Sequence, residues 1–233
     1  MHVTILMPAY NRANFISEAI KSVFDQTYKD WDILVVDDGS TDGTADKVIE
    51  WMSDQPITLI KTKHGGCAHA TKIGLEKAKG PIITVLDSDD RLLPLSLAVV
   101  VPHFKTNPKL GYLWTQFVKS NGGAGWSKGL PKGKNLRQAL ENGWWSASHQ
   151  RFLRKDAYLK TKGLDAAYPC AVDLQLVLLL ANTDCETKHV SVPTYWYRFH
   201  PKMMTRVDKS LQRDCAKQLI EMSKNKVFEV GQV

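Results

Sequence analysis

The feature that most confines this 233-residue chain is the alternation of strand-like and helix-like segments over its first 90 residues. Apolar runs occur in "HVTILMPAY", "WDILVVDDGS", "ITLIKTK" and "PIITVLDSDD". Each has the length and texture of a buried strand. Between them, "NFISEAIKSVFDQ" carries Phe15, Ile16, Ala19, Ile20, Val23 and Phe24 at helical spacing. "STDGTADKVIEWMSD" opens on cap-type residues and continues as a helix, and "GGCAHATKIGLEKAKG" is a glycine turn followed by a helix ending at Gly80. Strands alternating with helices build βαβ units and a parallel sheet, so the expected class is α/β with a Rossmann-like, mostly parallel central sheet and flanking helices.

In open parallel sheets, ligands bind beyond the carboxyl ends of the strands. Three of those ends are polar here: "PAYNR" at 8–12, "DDGS" at 37–40 and "DSDD" at 87–90. Three such loops can share one crevice. The last is the most demanding, because Asp87, Asp89 and Asp90 repel one another directly after an apolar run. Two readings stay open from the residues alone. The acids form a solvated loop with Asp90 capping the next helix, or they hold a divalent cation.

After residue 110 the pattern changes. "LGYLWTQFVKS" and "HVSVPTYWYRFH" read as strands, and "NGGAGWSKGLPKGKN" as a mobile Gly/Lys-rich loop suited to closing as a lid. "LRQALENG" is a short helix, "AVDLQLVLLLAN" a buried helix, and 209–228 a basic amphipathic helix. The expected organisation is a 1–110 nucleotide-binding half, a 111–208 acceptor-side half of the same domain with a smaller mixed region, and a 209–233 tail.

Charge and cysteine content narrow the classes. The net charge is +7, and ten basic residues lie between Lys119 and Lys162 against Glu141 and Asp156. That segment reads as a solvated face or as a footprint for an anionic partner such as nucleic acid. Cys67, Cys170, Cys185 and Cys215 form no CxxC pair, so reduced thiols are expected. No apolar run approaches the roughly 20 residues that span a bilayer. The first residues read as a strand and not as a leader, which makes the cytoplasm the expected location. The tail helix, with Lys209, Arg213, Lys217, Lys224 and Lys226 beside Leu211, Leu219, Ile220 and Met222, offers peripheral contact with an inner membrane surface or packing against the domain.

Taken in order, "PAYNR", "VVDDGSTDGT", the 66–80 stretch, "LDSDD", "GLD…AVDLQLVLLLA" and "YRFHPKMMT" resemble the family 2 glycosyltransferases of the GT-A fold, across roughly residues 2–206. The resemblance implies a nucleotide-diphospho-sugar transferase. "LDSDD" matches the DxD motif, in which aspartates bind Mn2+ or Mg2+ and the donor diphosphate. It implies Asp89 and Asp87 as metal ligands and Asp87, Ser88 and Asp89 as donor contacts. The cation is needed because carboxylates and diphosphate are both anionic, and hard oxygen ligands suit a hard cation. Asp38 matches the acceptor of a uracil N3–H, with Asp37 positioning the ribose or the loop. Pro8, Ala9 and Tyr10 fall where the family packs base and ribose, and Arg12 is a phosphate contact.

At 70–72 the family often has "ARN" where this chain has "ATK", so Thr71 replaces an arginine and Lys72 is left as the nearby donor-side cation. His64 and His69 flank the same loop. Asp173 matches the family's catalytic base, although Val172 stands where a supporting acid is usual. His200 is implied as a further metal ligand and Arg198 as a diphosphate contact. Trp144, Trp145 and His149 match the acceptor-lining region.

The resulting expectation is a metal-dependent, inverting transferase that moves a sugar, most simply from a UDP-sugar, to an acceptor hydroxyl of a glycan or lipid-linked saccharide. Two alternatives stand beside it. One is a sugar transferase acting on modified bases of DNA, suggested by the basic 119–162 segment next to two tryptophans. The other is a non-catalytic module that binds nucleotide sugar or nucleic acid.

Overall fold

A computed structural model describes residues 1–125, 128–141, 150–169, 171–201, 203 and 209–225. One sheet runs through it. Its centre is β1 (Val3–Ala9), flanked in parallel by β2 (Trp31–Asp37) and β4 (Ile82–Val85), with β3 (Ile57–Lys61) parallel to β2. All seven residues of β1 are buried, as in strands covered on both faces. Successive residues alternate between the two faces. Val3, Ile5 and Met7 join one core with α1 (Ile16–Phe24) and α4 (Ser96–Thr106). Leu6 joins the other with α3 (Cys67–Lys77) and α7 (Val172–Ala181). A helix α2 (Thr44–Ile49) follows β2.

Beyond β4 the sheet becomes mixed. The full order is β3-β2-β1-β4-β8-β6-β9-β5. β8 (Arg151–Arg154) is antiparallel to β4 on one side and to β6 (Leu110–Lys119) on the other. β9 (Glu186–Tyr197) runs parallel to β6, and β5 (Arg91–Leu92) pairs antiparallel with β9. α5 (Leu136–Glu141), α6 (Lys155–Leu159) and α8 (Lys209–Lys224) complete the fold.

Several expectations change. The 121–135 loop is not structureless: β7 (Ala124–Gly125) pairs with β6, and the Trp114 indole N–H donates to the Lys128 carbonyl at 3.1 Å. β5, α4, β8 and α6 fall in stretches that the pattern left unassigned. Asp90 caps no helix. α4 starts only at Ser96, behind Leu95, and has no side-chain cap. The tail helix α8 packs on α5 and α7 and buries Cys215 and Leu219. Part of its apolar stripe is therefore used within the protein, while Leu211 stays exposed. Among the described residues, no helix is long and apolar enough to cross a bilayer. Cys67, Cys185 and Cys215 are free thiols, and Cys170 lies outside the described residues.

The basic segment is also less of an outward face than its composition suggests. The Arg154 guanidinium donates to the carbonyls of Phe104, Asn107 and Leu110 and so closes the end of α4. Lys155 donates to Ala78 O at the end of α3, at 2.6 Å. Arg151 is buried.

α7 is buried nearly all round, which fixes the segment that carries Asp173. Leu176 is fully buried in it. Leu176→Ala should cost about 2–5 kcal/mol, which lowers Tm by roughly 2–4 °C per kcal/mol in a chain of this size. A calorimetric Tm within about 2 °C of wild type would contradict that packing role.

Candidate functional site

The sheet reverses its winding at β1. The chain runs outward through β2 and β3, then returns to add β4 on the other side of β1. The crevice at such a switch point is where open α/β sheets bind ligands. The loops after β1, β2 and β4 all open there.

The 87–90 turn is pinned before it is charged. Leu86 N–H donates to Leu6 O at 2.9 Å, Asp90 N–H closes the turn on Asp87 O at 2.9 Å, and the buried Ser88 hydroxyl donates to Pro8 O at 2.9 Å. Ser88 is thus a tie between two strand ends. Each acid then has its own partners. Asp90 is buried and accepts from the Tyr195 hydroxyl at 2.6 Å and from Arg198 N–H at 2.7 Å. Burial first, and then the neighbouring Asp87 and Asp89, push its pKa well above the usual carboxylate range. Burial, together with Asp87 and Asp90, also raises the pKa of Tyr195. Asp89 Oδ2 accepts from Arg12 Nε at 3.0 Å and lies 3.0 Å from His200 Nε2. Asp87 Oδ1 lies 3.6 Å from a guanidinium nitrogen of Arg151, and its Oδ2 is 3.4 Å from the Tyr195 hydroxyl.

The second loop is organised around Asp38. Asp37 is buried, and its carboxylate accepts from Ser40 N–H at 3.2 Å, which closes the "DDGS" turn. Gly39 has φ +76°, and a Cβ there would meet His64 N at 2.9 Å, so the turn and the 64–66 loop touch where only glycine fits. Asp38 is buried beneath that loop. Its oxygens accept from Gly65 N–H at 3.0 Å and Gly66 N–H at 2.8 Å, with His64 Nδ1 at 2.8 Å and His69 Nδ1 at 3.4 Å. The His64 ring stacks on Tyr10, with centroids 4.0 Å apart and planes at 19°. Pro8 and Ala9 are buried at the end of β1, and only Tyr10 of the trio is exposed. Asn11 (φ 52°) turns the chain after it and accepts from Thr41 N–H at 2.9 Å, which knits the first loop to the second.

Asp173 lies in the first turn of α7, where the exposed amides favour a carboxylate. Ala171 (φ 58°) bends the chain just before it. Thr71 is buried on α3, and Lys72 follows it, partly exposed. Arg198 is held away from a free phosphate-binding pose. Its Nε donates to Asp89 O at 2.7 Å, a second nitrogen donates to Glu18 at 2.7 Å, and the guanidinium covers the rings of Trp196 and Phe15. Trp144, Trp145 and His149 lie outside the described residues.

One site residue was missed. Arg151 opens β8 and points toward Asp87. Burial opposes its charge, but Asp87 and then Asp173 outweigh burial and raise its pKa. The strand-like run "QRFLR" was the available signal, but a short run does not show which way its arginine faces.

The cation fit follows from the donor set. Among the described residues, no group of three or more His, Cys, Asp or Glu side chains forms a metal cage. Asp89 and His200 offer one carboxylate oxygen and one imidazole nitrogen 3.0 Å apart. A hard cation held by one or two carboxylates plus substrate phosphates needs no closed protein cage. The residues therefore fit a cation shared with a phosphate-bearing ligand, with Asp89 and His200 holding it.

Comparison with known proteins agrees with this architecture. A sequence model of the family described as Glycosyl transferase family 2 matches residues 4–171. The Escherichia coli UDP-Glc:alpha-D-GlcNAc-diphosphoundecaprenol beta-1,3-glucosyltransferase WfgD is 46% identical over 89 residues, 38% of this chain and 35% of that protein. Chondroitin synthase of Pasteurella multocida is 30% identical over 195 residues, 83% of this chain and 20% of that protein. The chain spans 13% to 36% of the length of the curated relatives it matches. S. aureus TarS in complex with UDP superimposes with a TM-score of 0.73 at 17% identity, covering 96% of this chain and 65% of that one. The mannosyltransferase PcManGT of Pyrobaculum calidifontis, in complex with GDP-Man and Mn2+, gives 0.66 at 21% identity, covering 97% and 63%. By its matched residues the chain belongs to glycosyltransferase family 2, and by its sheet it has the GT-A fold.

Proposed function

We propose that this chain transfers a sugar from a nucleotide-diphosphate donor, most simply a UDP-sugar, to a hydroxyl of a glycan or lipid-linked saccharide. The observation that carries the reading is the crevice itself. Tyr10 and Asp38, the Asp89–His200 pair, and Asp87 on the Arg151 guanidinium all belong to the loops and strand ends around the β1 switch point. The names of relatives support the substrate classes: WfgD carries UDP-Glc and a diphosphoundecaprenol acceptor in its name, and TarS has been solved with UDP-GlcNAc. Arg151, Arg154 and Lys155 turn inward, while Lys128, Lys132, Lys134, Lys160 and Lys162 stay exposed.

In this reading the base stacks on Tyr10 and donates its N3–H to Asp38. His64 already makes both contacts, so it is an internal stand-in that the base displaces. Asp37 and Ser88 hold their loops in place, and Asp89 and His200 would hold Mn2+ or Mg2+. That cation, when bound, offsets the charge that builds on the departing diphosphate. Asp173 accepts the proton of the attacking hydroxyl as it adds opposite the leaving group, which inverts the anomeric carbon. Val172 is buried beside it and supplies no second acid, so Asp173 acts without a neighbouring carboxylate in sequence.

Three outcomes test this. Asp173→Asn should leave UDP binding in Mn2+ within about threefold while sugar transfer, followed by UDP release across a donor and acceptor panel, falls at least about 100-fold. Full turnover would remove Asp173 from the chemistry. Asp89→Ala should abolish the Mn2+ dependence of UDP binding in calorimetry, and wild-type binding that is equal with and without chelator would remove the metal. His64→Ala should tighten UDP binding by about fivefold, the worth of one net hydrogen bond no longer displaced. Weaker binding would mean that His64 holds the base instead of standing in for it.

A further inference from the structure

Arg151 has no part in the steps above, yet it is the most costly side chain in the site to bury. An isolated buried guanidinium is strongly unfavourable, and such charges are retained where they are paired. Arg151 reaches Asp87 Oδ1 at 3.6 Å with its side chain only 7% exposed. Asp87 and then Asp173 favour its charge against the cost of burial.

We infer that Arg151 is a positioning residue that holds Asp87 in its donor-facing pose. The inference rests on the nucleotide reading of the site. An arginine suits this place because its guanidinium stays charged when buried, and lysine can supply the same charge without the fork.

The test is UDP titration in Mn2+ by calorimetry on the whole chain. It compares wild type, Arg151→Lys and Arg151→Met. Far-UV circular dichroism and Tm are recorded for each. Arg151→Met should weaken UDP binding by at least about tenfold, the scale of a lost charge-assisted contact. Arg151→Lys should stay within about threefold of wild type, because the charge remains. A purely structural arginine predicts equal UDP affinity in every variant that folds.

A folded Arg151→Met that binds within about twofold of wild type overturns the inference alone, and the nucleotide reading survives. An Arg151→Lys as weak as Arg151→Met also overturns it. If Arg151→Met does not fold, a folded Arg151→Lys that binds UDP within about threefold of wild type supports the inference, and one that stays unfolded or binds more weakly overturns it. Wild type that takes no UDP removes the nucleotide reading, and this inference with it.

Discussion

Mutual repulsion of Asp87, Asp89 and Asp90 is the constraint around which the site is organised. At close range in a poorly solvated crevice such charges repel by several kcal/mol. The chain offsets this with separate partners for each acid: Tyr195 and an amide for Asp90, Arg12 and His200 for Asp89, Arg151 for Asp87. Those partners come from β9, from the loops after β1 and β9, and from β8. The second half of the chain is therefore needed to make the first half's motif tolerable. The three acids also end in different chemical states. Asp90 is buried with a raised pKa and is turned toward structure, while Asp89 faces groups that a cation can replace or join.

Asp38 follows the same logic on a smaller scale. It is almost wholly buried, yet its oxygens are covered by two amides and two imidazoles of the 64–69 segment. A carboxylate dressed in this way is stable without ligand. In the proposed reading it is also selective, because an incoming base would have to offer an N–H at least as good as the one His64 gives up.

The N-terminal half was legible because its signals are local. Each strand of β1–β4 is an apolar run that ends in a polar turn, and buried parallel strands need no help from distant residues to be recognised. α7 was legible for the same reason, as an unbroken apolar helix. What escaped was set by tertiary contacts. α4 carries three consecutive valines and Pro102, a composition poor in helix propensity, and it forms because both neighbouring elements bury it. β5 is two residues long and exists only as a partner of β9. Arg151 looked like one more charge in a basic run, and only the pairing of β8 with β4 reveals that it points inward. The expectation that Asp90 caps a helix failed, and Arg151, Arg154 and Lys155 turn inward while Lys128, Lys132, Lys134, Lys160 and Lys162 stay exposed, because composition records charge but not direction.

β8 sits antiparallel between β4 and β6 and bonds to both. Neighbouring strands are held about 4.8 Å apart by their ladders. The span from the donor acids after β4 across the Arg151 position is consequently measured in strand widths, as if on a ruler, and is not left to loop conformation. The loops around the crevice can then lengthen, shorten or change side chains while the distance from the 87–90 turn to the Arg151 position stays constant. A backbone ladder thus acts as the gauge of that distance.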